Sequence, residues 1–450
     1  MLAASPKRLA RRVLPALLVV FYGCSDPSAP VSPRVELRAP SLDVNVVKVT
    51  NTDDSGPGSL RQAIADAPDG SVIQFDASIA GKTIVTDGLF PKNHITIEGP
   101  LPAGITISGG LRAIVFAVGD GADVTLRNLS IVDGRNGIGG GIDVLRARLL
   151  LDHVLVANNE AVEDGGGIMA ADNAILTVVN STISGNVAPN RGGAILVSDE
   201  SDVTIRNSTI ANNTSAPLTG AIAADASRLS IRNTILGNFE TGGNCNFAQD
   251  VAVTFVGTNL SDDITCGSSG VTLGNALLKP LANNGGPTRT HAIDIASAAV
   301  DAGTLCTEST DQRYVARPAG TSCDVGAFEF NDYGTFKFTI GPNISVNPKT
   351  GVATVTGTIA CSKLGGATTV SIAMSQTQKS TGRFTTIVQG TGGFTVASCS
   401  MSPASWSTTI MPGSGKFESG NATASVSTVT IPPGFIQGSA SATVKIFFVK

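Results

Sequence analysis

Any chemistry in this chain would rest on its carboxylates. Glu163 with Asp164, Asp172, Asp199 with Glu200, and Asp225 fall in one stretch, with Arg191 and Arg228 nearby in sequence. Two kinds of reaction suit such a set. A lyase uses acids to hold Ca2+ against a uronate and an Arg or Lys as base; a hydrolase divides two or more carboxylates between acid, base or nucleophile. Asp172, Asp199 and Asp225 trail recurrent isoleucines by four, four and three residues, so they could line one edge of a repeating structure. The same acids equally suit loop corners, where Asp bonds to its own local backbone. Asp133, Arg135 and the loop NGIGGG form a further cluster that Glu163 and Asp164 could complete. His94, His153 and His291 lie in different segments and support neither a zinc triad nor a Ser-His-Asp set. The glycines precede strands, so none builds a phosphate-cradling loop. No cofactor is expected, with Ca2+ entering only under the lyase reading.

The elements that must position these groups repeat. ADVTLRNLSIVDG, ARLLLDHVLVANN, AILTVVNSTISGN, SDVTIRNSTIANN and SRLSIRNTILGN each run from an alternating apolar strand through a turn into a second apolar strand. The turn marker reads as Asn128, Asp152, Asn180, Asn207 and Asn233, at spacings of 24, 28, 27 and 26. Glycine steps precede Ile142, Ile168, Ile195 and Ile222, which are 26, 27 and 27 apart. Two markers sharing one period indicate a solenoid whose coils stack about 4.8 Å apart and bury columns of aliphatic side chains. Asn at the turn tolerates the left-handed conformation and could bond to its counterpart one coil away. Asn158, Asn186 and Asn213 suggest a second ladder, and the glycines suit positive φ at the next corner.

Upstream, short strands such as HITIEG and AGITISG read as earlier coils, and Ser59 to about Ala67 is a helix with Leu60, Ala63, Ile64 and Ala67 on one face. A solenoid needs such a plug, because its terminal coil would otherwise expose its core and a bare strand edge. After Asp332 the chain shifts to Thr, Ser and Val strands with Gly and Pro turns, which reads as an immunoglobulin-like β-sandwich with Trp406 in its core. The fold class is therefore all-β: a right-handed parallel β-helix with a capping helix over residues 45–332, then a sandwich over 333–450.

Residues 1–23 pair Lys7, Arg8, Arg11 and Arg12 with an apolar run ending at Gly23-Cys24, which marks a signal peptide. Its end resembles a bacterial lipoprotein signal, with Phe21 where that family usually has Leu. The resemblance implies lipidation of Cys24, and Ser25 after it implies the outer membrane; without lipidation the protein is secreted. Residues 24–44, rich in proline, read as a tether. Removing the leader takes four of the 31 basic side chains and none of the 35 acidic ones, leaving 27 against 35, a balance of −8 that argues against nucleic acid. Six cysteines remain after Cys24 and allow fifteen pairings. Nearest-neighbour bridges, Cys245–Cys266, Cys306–Cys323 and Cys361–Cys399, keep each pair inside one structural unit, and no CxxC or His cluster favours zinc.

VTNTDDSGPGSLRQAI resembles the N-terminal entry of bacterial right-handed β-helix surface proteins. LANNGGPTRTHAIDIASAAVDAG followed by TDQRYVARPAGTSCDVGAFEF is similar to the closing module of choice-of-anchor Q proteins, with Tyr314 where that family usually has Gly. The GGI and GGAI steps are similar to those of polymorphic outer-membrane proteins. The resemblance implies architecture and a cell-surface location, not a reaction. The expectation is a monomeric surface lipoprotein, held to the membrane only by its lipid, whose β-helix binds carbohydrate or a cell surface. The alternative is a polysaccharide lyase or glycoside hydrolase using Glu163, Asp164, Asp172 and Asp199.

Overall fold

The computed structural model describes residues 45–237, 242–331, 335–361, 368–379, 385–397, 402–429 and 438–448. The signal peptide, the tether, Cys24 and Cys399 lie outside the described residues. Val44–Lys450 form one unit with two large separate hydrophobic cores.

The first core belongs to a right-handed β-helix of three parallel sheets. Sheet A has nine strands, from Val46–Val49 to Ala252–Val256; sheet B has nine, from Thr83–Val85 to Val271–Leu273; sheet C has six, from Phe116–Gly119 to Cys245–Phe247. From Phe116–Gly119 to Asn259–Ser261 each coil passes from C to A to B, and alternate side chains of each strand point inward. Ile142, Ile168, Ile195 and Ile222 are register partners in sheet C and wholly buried. Each such burial contributes about 2–3 kcal/mol. At the start, the helix Leu60–Asp66 buries Leu60, Ala63 and Ile64, and its N-cap Ser59 hydroxyl accepts from the Gln62 N–H at 3.2 Å.

Strand pairing corrects the turn marker by one residue in one coil. Asp152 pairs with Arg127 and with Val179, so the residue level with Asn128 and Asn180 is His153, not Asp152. Asn128, His153, Asn180, Asn207 and Asn233 all have φ between 44° and 59° and sit at the A-to-B corner. Their spacings are 25, 27, 27 and 26. Asp favours turns, but the count of residues from the flanking strands decides the position.

The same slip moves the second ladder, which runs through Asn159, Asn186 and Asn213, while Asn158 is exposed. Asn186 Nδ2 donates to Asn213 Oδ1 at 2.8 Å, and Asn159 Nδ2 donates to Asn186 Oδ1 at 2.8 Å. Their amides also bond main-chain groups, including the Asn159 and Asn186 N–H groups and the Ile131, Val156 and Ile183 carbonyls. The corner asparagines do not bond to one another: Asn128 Nδ2 donates to the Gly99 carbonyl and Asn233 Oδ1 accepts from the Thr258 N–H, while both amide atoms of Asn207 are buried without a partner. The glycines split by task as well. Gly139, Gly165 and Gly192 have the positive φ, whereas Gly141, just before Ile142, is required by space: a Cβ there would lie 2.7 Å from Asn159 Cγ.

Residues 275–330 fold back over the outer face of sheet B. Gln312 Oε1 accepts from the Thr182 hydroxyl at 2.6 Å, His291 Nε2 meets Ser184 Oγ at 2.8 Å, and the Ala327 N–H donates to Thr209 Oγ1 at 3.0 Å. From Leu129–Val132 to Asn259–Ser261 sheet B is thereby buried on both faces, while its end strands Thr83–Val85 and Val271–Leu273 stay exposed outside. The cover has its own ion network, with Arg317 and Glu329 paired at 2.8 Å and both fully buried, and Arg313 paired with Asp311 at 2.6 Å. Burial pushes the Asp324 carboxyl up to about 7, helped by the neighbouring Glu329. Tyr314 has φ 68°, a conformation that suits the Gly of the resembling module; here its ring stacks on His153 at 4.2 Å and its hydroxyl donates to Asn128 Oδ1 at 2.7 Å. Two departures from pattern, His for Asn and Tyr for Gly, meet in one contact.

Cys245–Cys266 and Cys306–Cys323 are bridged, with Cα atoms 4.8 and 6.0 Å apart, and Cys361 is disulfide-bonded. The C-terminal eight strands form a single sheet that closes on itself where Ala353–Cys361 pairs with Ala404–Pro412. The expected sandwich thus takes the form of a closed barrel, with one parallel pair between Asn343–Val346 and the last strand. Trp406 lies in its core, stacked on Phe394 at 5.1 Å. Gly357 makes that possible, since a Cβ there would fall 2.3 Å from the indole.

Asn186→Ala should lower stability by about 2–4 kcal/mol, because it orphans buried groups of Asn159, Asn213 and Val156. Asn158→Gly should stay within about 0.5 kcal/mol. Denaturant midpoints test this, and equal losses in the two variants would contradict the corrected ladder.

Candidate functional site

With sheet B covered, the outward side chains of sheets A and C remain. On sheet A the central outward column is Thr96, Thr125, Leu150, Thr177, Thr204, Ser230 and Thr254, held in register by parallel pairing and reaching solvent throughout. Parallel pairing places successive members of the column about 4.8 Å apart along the axis, with Leu150 the one member without a hydroxyl. Charged columns flank them. On the C-side rim Arg228 pairs with Asp202 at 3.3 Å; on the B-side rim Arg127 bridges Glu98 at 3.6 Å and Asp152 at 2.9 Å. Burial pushes the Asp152 carboxyl up, but hydrogen bonds from His153 and Arg127 outweigh it and hold the group below the usual carboxylate range.

The sequence-derived acids occupy two different corners. Asp172 and Asp199 lie in the C-to-A corner column, which runs through Asp120, Arg146, Asp172 and Asp199, all at φ between 51° and 56°. Arg146 binds Asp120 at 3.1 Å and Asp172 at 2.7 Å, and Asp199 accepts from the Ser198 hydroxyl at 2.8 Å. Asp225 follows Ala224, the partner of Val197, so it stands level with Ser198 and outside that column. Glu163 and Asp164 lie in the B-to-C loop. Their backbones stack on Gly137 and Gly139 of the coil below, but Arg135 turns to Glu160 at 3.4 Å. Arg191 ties Asp164 to Asp225, at 3.7 and 2.7 Å. Glu163, Asp164, Asp172 and Asp199 therefore do not converge on one cleft. Among the described residues no group of three or more His, Cys, Asp or Glu is placed to hold a metal. His94 sits on the C-side rim of sheet A, His153 at the A-to-B corner and His291 in the cover.

Sequence reasoning missed Asp143. It points outward from sheet C between Ala117 and Met169, and its Oδ1 is buried without a partner. Burial pushes its carboxyl up to about 6, a hydrogen bond from the Val144 N–H opposes this, and the charge of Asp172 adds to it. Strand alternation in IDVL shows that Asp143 faces outward; its burial comes from coils remote in sequence. A carboxyl so tuned can give or take a proton near neutral pH.

Residues 103–260 match the family described as right handed beta helix region, which lies wholly within the coils. No curated protein matches the chain. Among solved structures, the sporulation control protein Spo0M from Bacillus subtilis aligns at 10% identity over 25% of this chain and 49% of its own, with a TM-score of 0.16. The chain spans about half the length of Spo0M. The tailspike protein of Acinetobacter phage vB_ApiP_P1 aligns at 9% identity over 89% of this chain and 88% of its own, with a TM-score of 0.19. At these TM-scores neither likeness bears on fold or function.

Folded Asp143 keeps its proton up to about pH 6, while the unfolded chain loses it near 3.8. Between those values the folded state binds more protons, so this group's contribution to stability falls as pH rises. Asp143→Asn should raise stability at pH 7 by about 1–2 kcal/mol, allowing for solvent screening, and leave it unchanged at pH 3.5. Thermal unfolding at both pH values tests this, and a gain of equal size at pH 3.5 would contradict it.

Proposed function

We propose that the protein is an exported lipoprotein of the bacterial cell surface, of the choice-of-anchor Q or polymorphic outer-membrane-like type, whose β-helix binds a linear polysaccharide along sheet A. The observation that carries this reading is the open column of hydroxyls on sheet A between two charged rims, beside a sheet B whose Thr and Ser are already engaged by the cover. Threonine hydroxyls both donate and accept, which matches a polymer that offers hydroxyls at regular intervals. A chain lying along the axis would meet one hydroxyl per coil, except at Leu150, and many weak contacts on a rigid surface sum without ordering the protein. Lipidated Cys24 and the tether ahead of residue 45 would display that face outside the membrane.

One experiment with two arms tests the proposal, using polysaccharide-coated beads of several compositions. Cells expressing the full chain should retain beads, and Cys24→Ser should release the protein and the bead binding to the medium. In the second arm, Thr125→Glu combined with Thr177→Glu and Thr204→Glu should weaken retention at least tenfold. Binding that ignores the triple variant, or its absence on every polysaccharide tried, would refute the reading of sheet A; membrane retention of Cys24→Ser would refute the anchor.

A further inference from the structure

A notch interrupts the outer face of sheet C near its first coils. Leu89 bridges to Phe116, so Phe90 is level with Ala117, and Ala117 is in turn the partner of Asp143. By the same register Lys92 stands level with Gly119, one coil below Leu145. Small residues on the middle coil thus leave a gap between two larger walls. The walls are two coil steps apart, about 10 Å between backbones. The pocket between them measures about 180 Å³ and is lined by Phe90, Lys92, Ala117, Gly119, Asp120 and Asp143, among others.

Three features describe what would fill it. Phe90 is 54% exposed, a large apolar ring held out in water. Opposite it stands Asp143, half-buried, whose carboxylate borders the gap. Lys92 supplies a donor at the rim. An aromatic face on one side and a hydrogen-bond acceptor on the other suit a ring that is apolar on its face and hydroxylated at its edge. The gap admits one such ring. Burial also opposes the charge of the Asp143 carboxylate, so a hydroxyl donated to it from the gap would offset part of that cost.

We propose that this notch is a subsite for a single hexopyranose unit, which packs its apolar face on Phe90 and donates a hydroxyl to Asp143. The proposal rests on the carbohydrate reading above for the class of ligand, but not on sheet A for its geometry.

Saturation-transfer NMR of the full chain with methyl glucoside, methyl galactoside and methyl mannoside tests it. At least one glycoside should receive saturation, strongest at the protons of its apolar face, with millimolar affinity. Phe90→Ala should weaken that affinity at least fivefold, and Ala117→Trp, which fills the gap, should abolish it. Unchanged denaturant midpoints would establish that both variants fold. The triple variant of sheet A should keep glycoside binding while losing the polymer. Absence of transfer from all three glycosides, or affinity unchanged in Phe90→Ala and Ala117→Trp, overturns the subsite even if polymer binding on sheet A stands.

Discussion

Each coil must close in register on the coil beneath it, and everything else in the β-helix follows from that condition. Side chains alternate along a strand, so a slip of one residue would exchange the buried and outward columns of a whole sheet. Register is fixed at two corners by residues in the left-handed conformation: single ones, Asn128, His153, Asn180, Asn207 and Asn233, at one, and Asp120, Arg146, Asp172 and Asp199 at the other, where Gly121, Asn173 and Glu200 follow in the same conformation. The third, longer corner is held by the buried amides of Asn159, Asn186 and Asn213. Insertions are absorbed there and at the C-to-A corner, one residue at each, which is how coils of 25 and 27 residues share the same strand pairing.

That condition also sorts the polar residues by task. Asparagines at the inner ladder satisfy the backbone of the long corner. Hydroxyls on sheet B, which resemble those on sheet A in sequence, are taken up by Gln312, His291 and the Ala327 N–H of the returning segment. Three of the six acids that looked catalytic, Asp164, Asp172 and Asp225, neutralise arginines one coil away. What remains open is the hydroxyl column of sheet A and the interrupted face of sheet C.

The period, the capping helix and the inward isoleucines were legible because they are local and repeat. Asp152 was misread for His153 because residue preference for a turn is a weaker signal than the distance to the next strand, and a histidine in an asparagine column breaks the pattern that preference looks for. The cover over sheet B left no local trace. Thr182 and Gln312 meet across 130 residues, and nothing in NSTISGN distinguishes a hydroxyl facing a cover from one facing water. Asp143 escaped notice for a related reason: its burial and its charged neighbour come from other coils. The barrel's closure rests on Gly357 lying under Trp406, a contact between strands that the composition of either one does not reveal.

The central claim is one-residue register between successive coils, and paired cysteines on sheet A read it most directly. Thr177 and Thr204 are Cα partners, and Ser230 is the partner of Thr204 one coil further on. Adjacent coils place partner Cα atoms about 4.8 Å apart, inside the range a disulfide spans, while two coils exceed it. Oxidation should therefore bridge Thr177→Cys with Thr204→Cys efficiently and leave Thr177→Cys with Ser230→Cys as free thiols. A bridge in the second pair and none in the first would contradict the account.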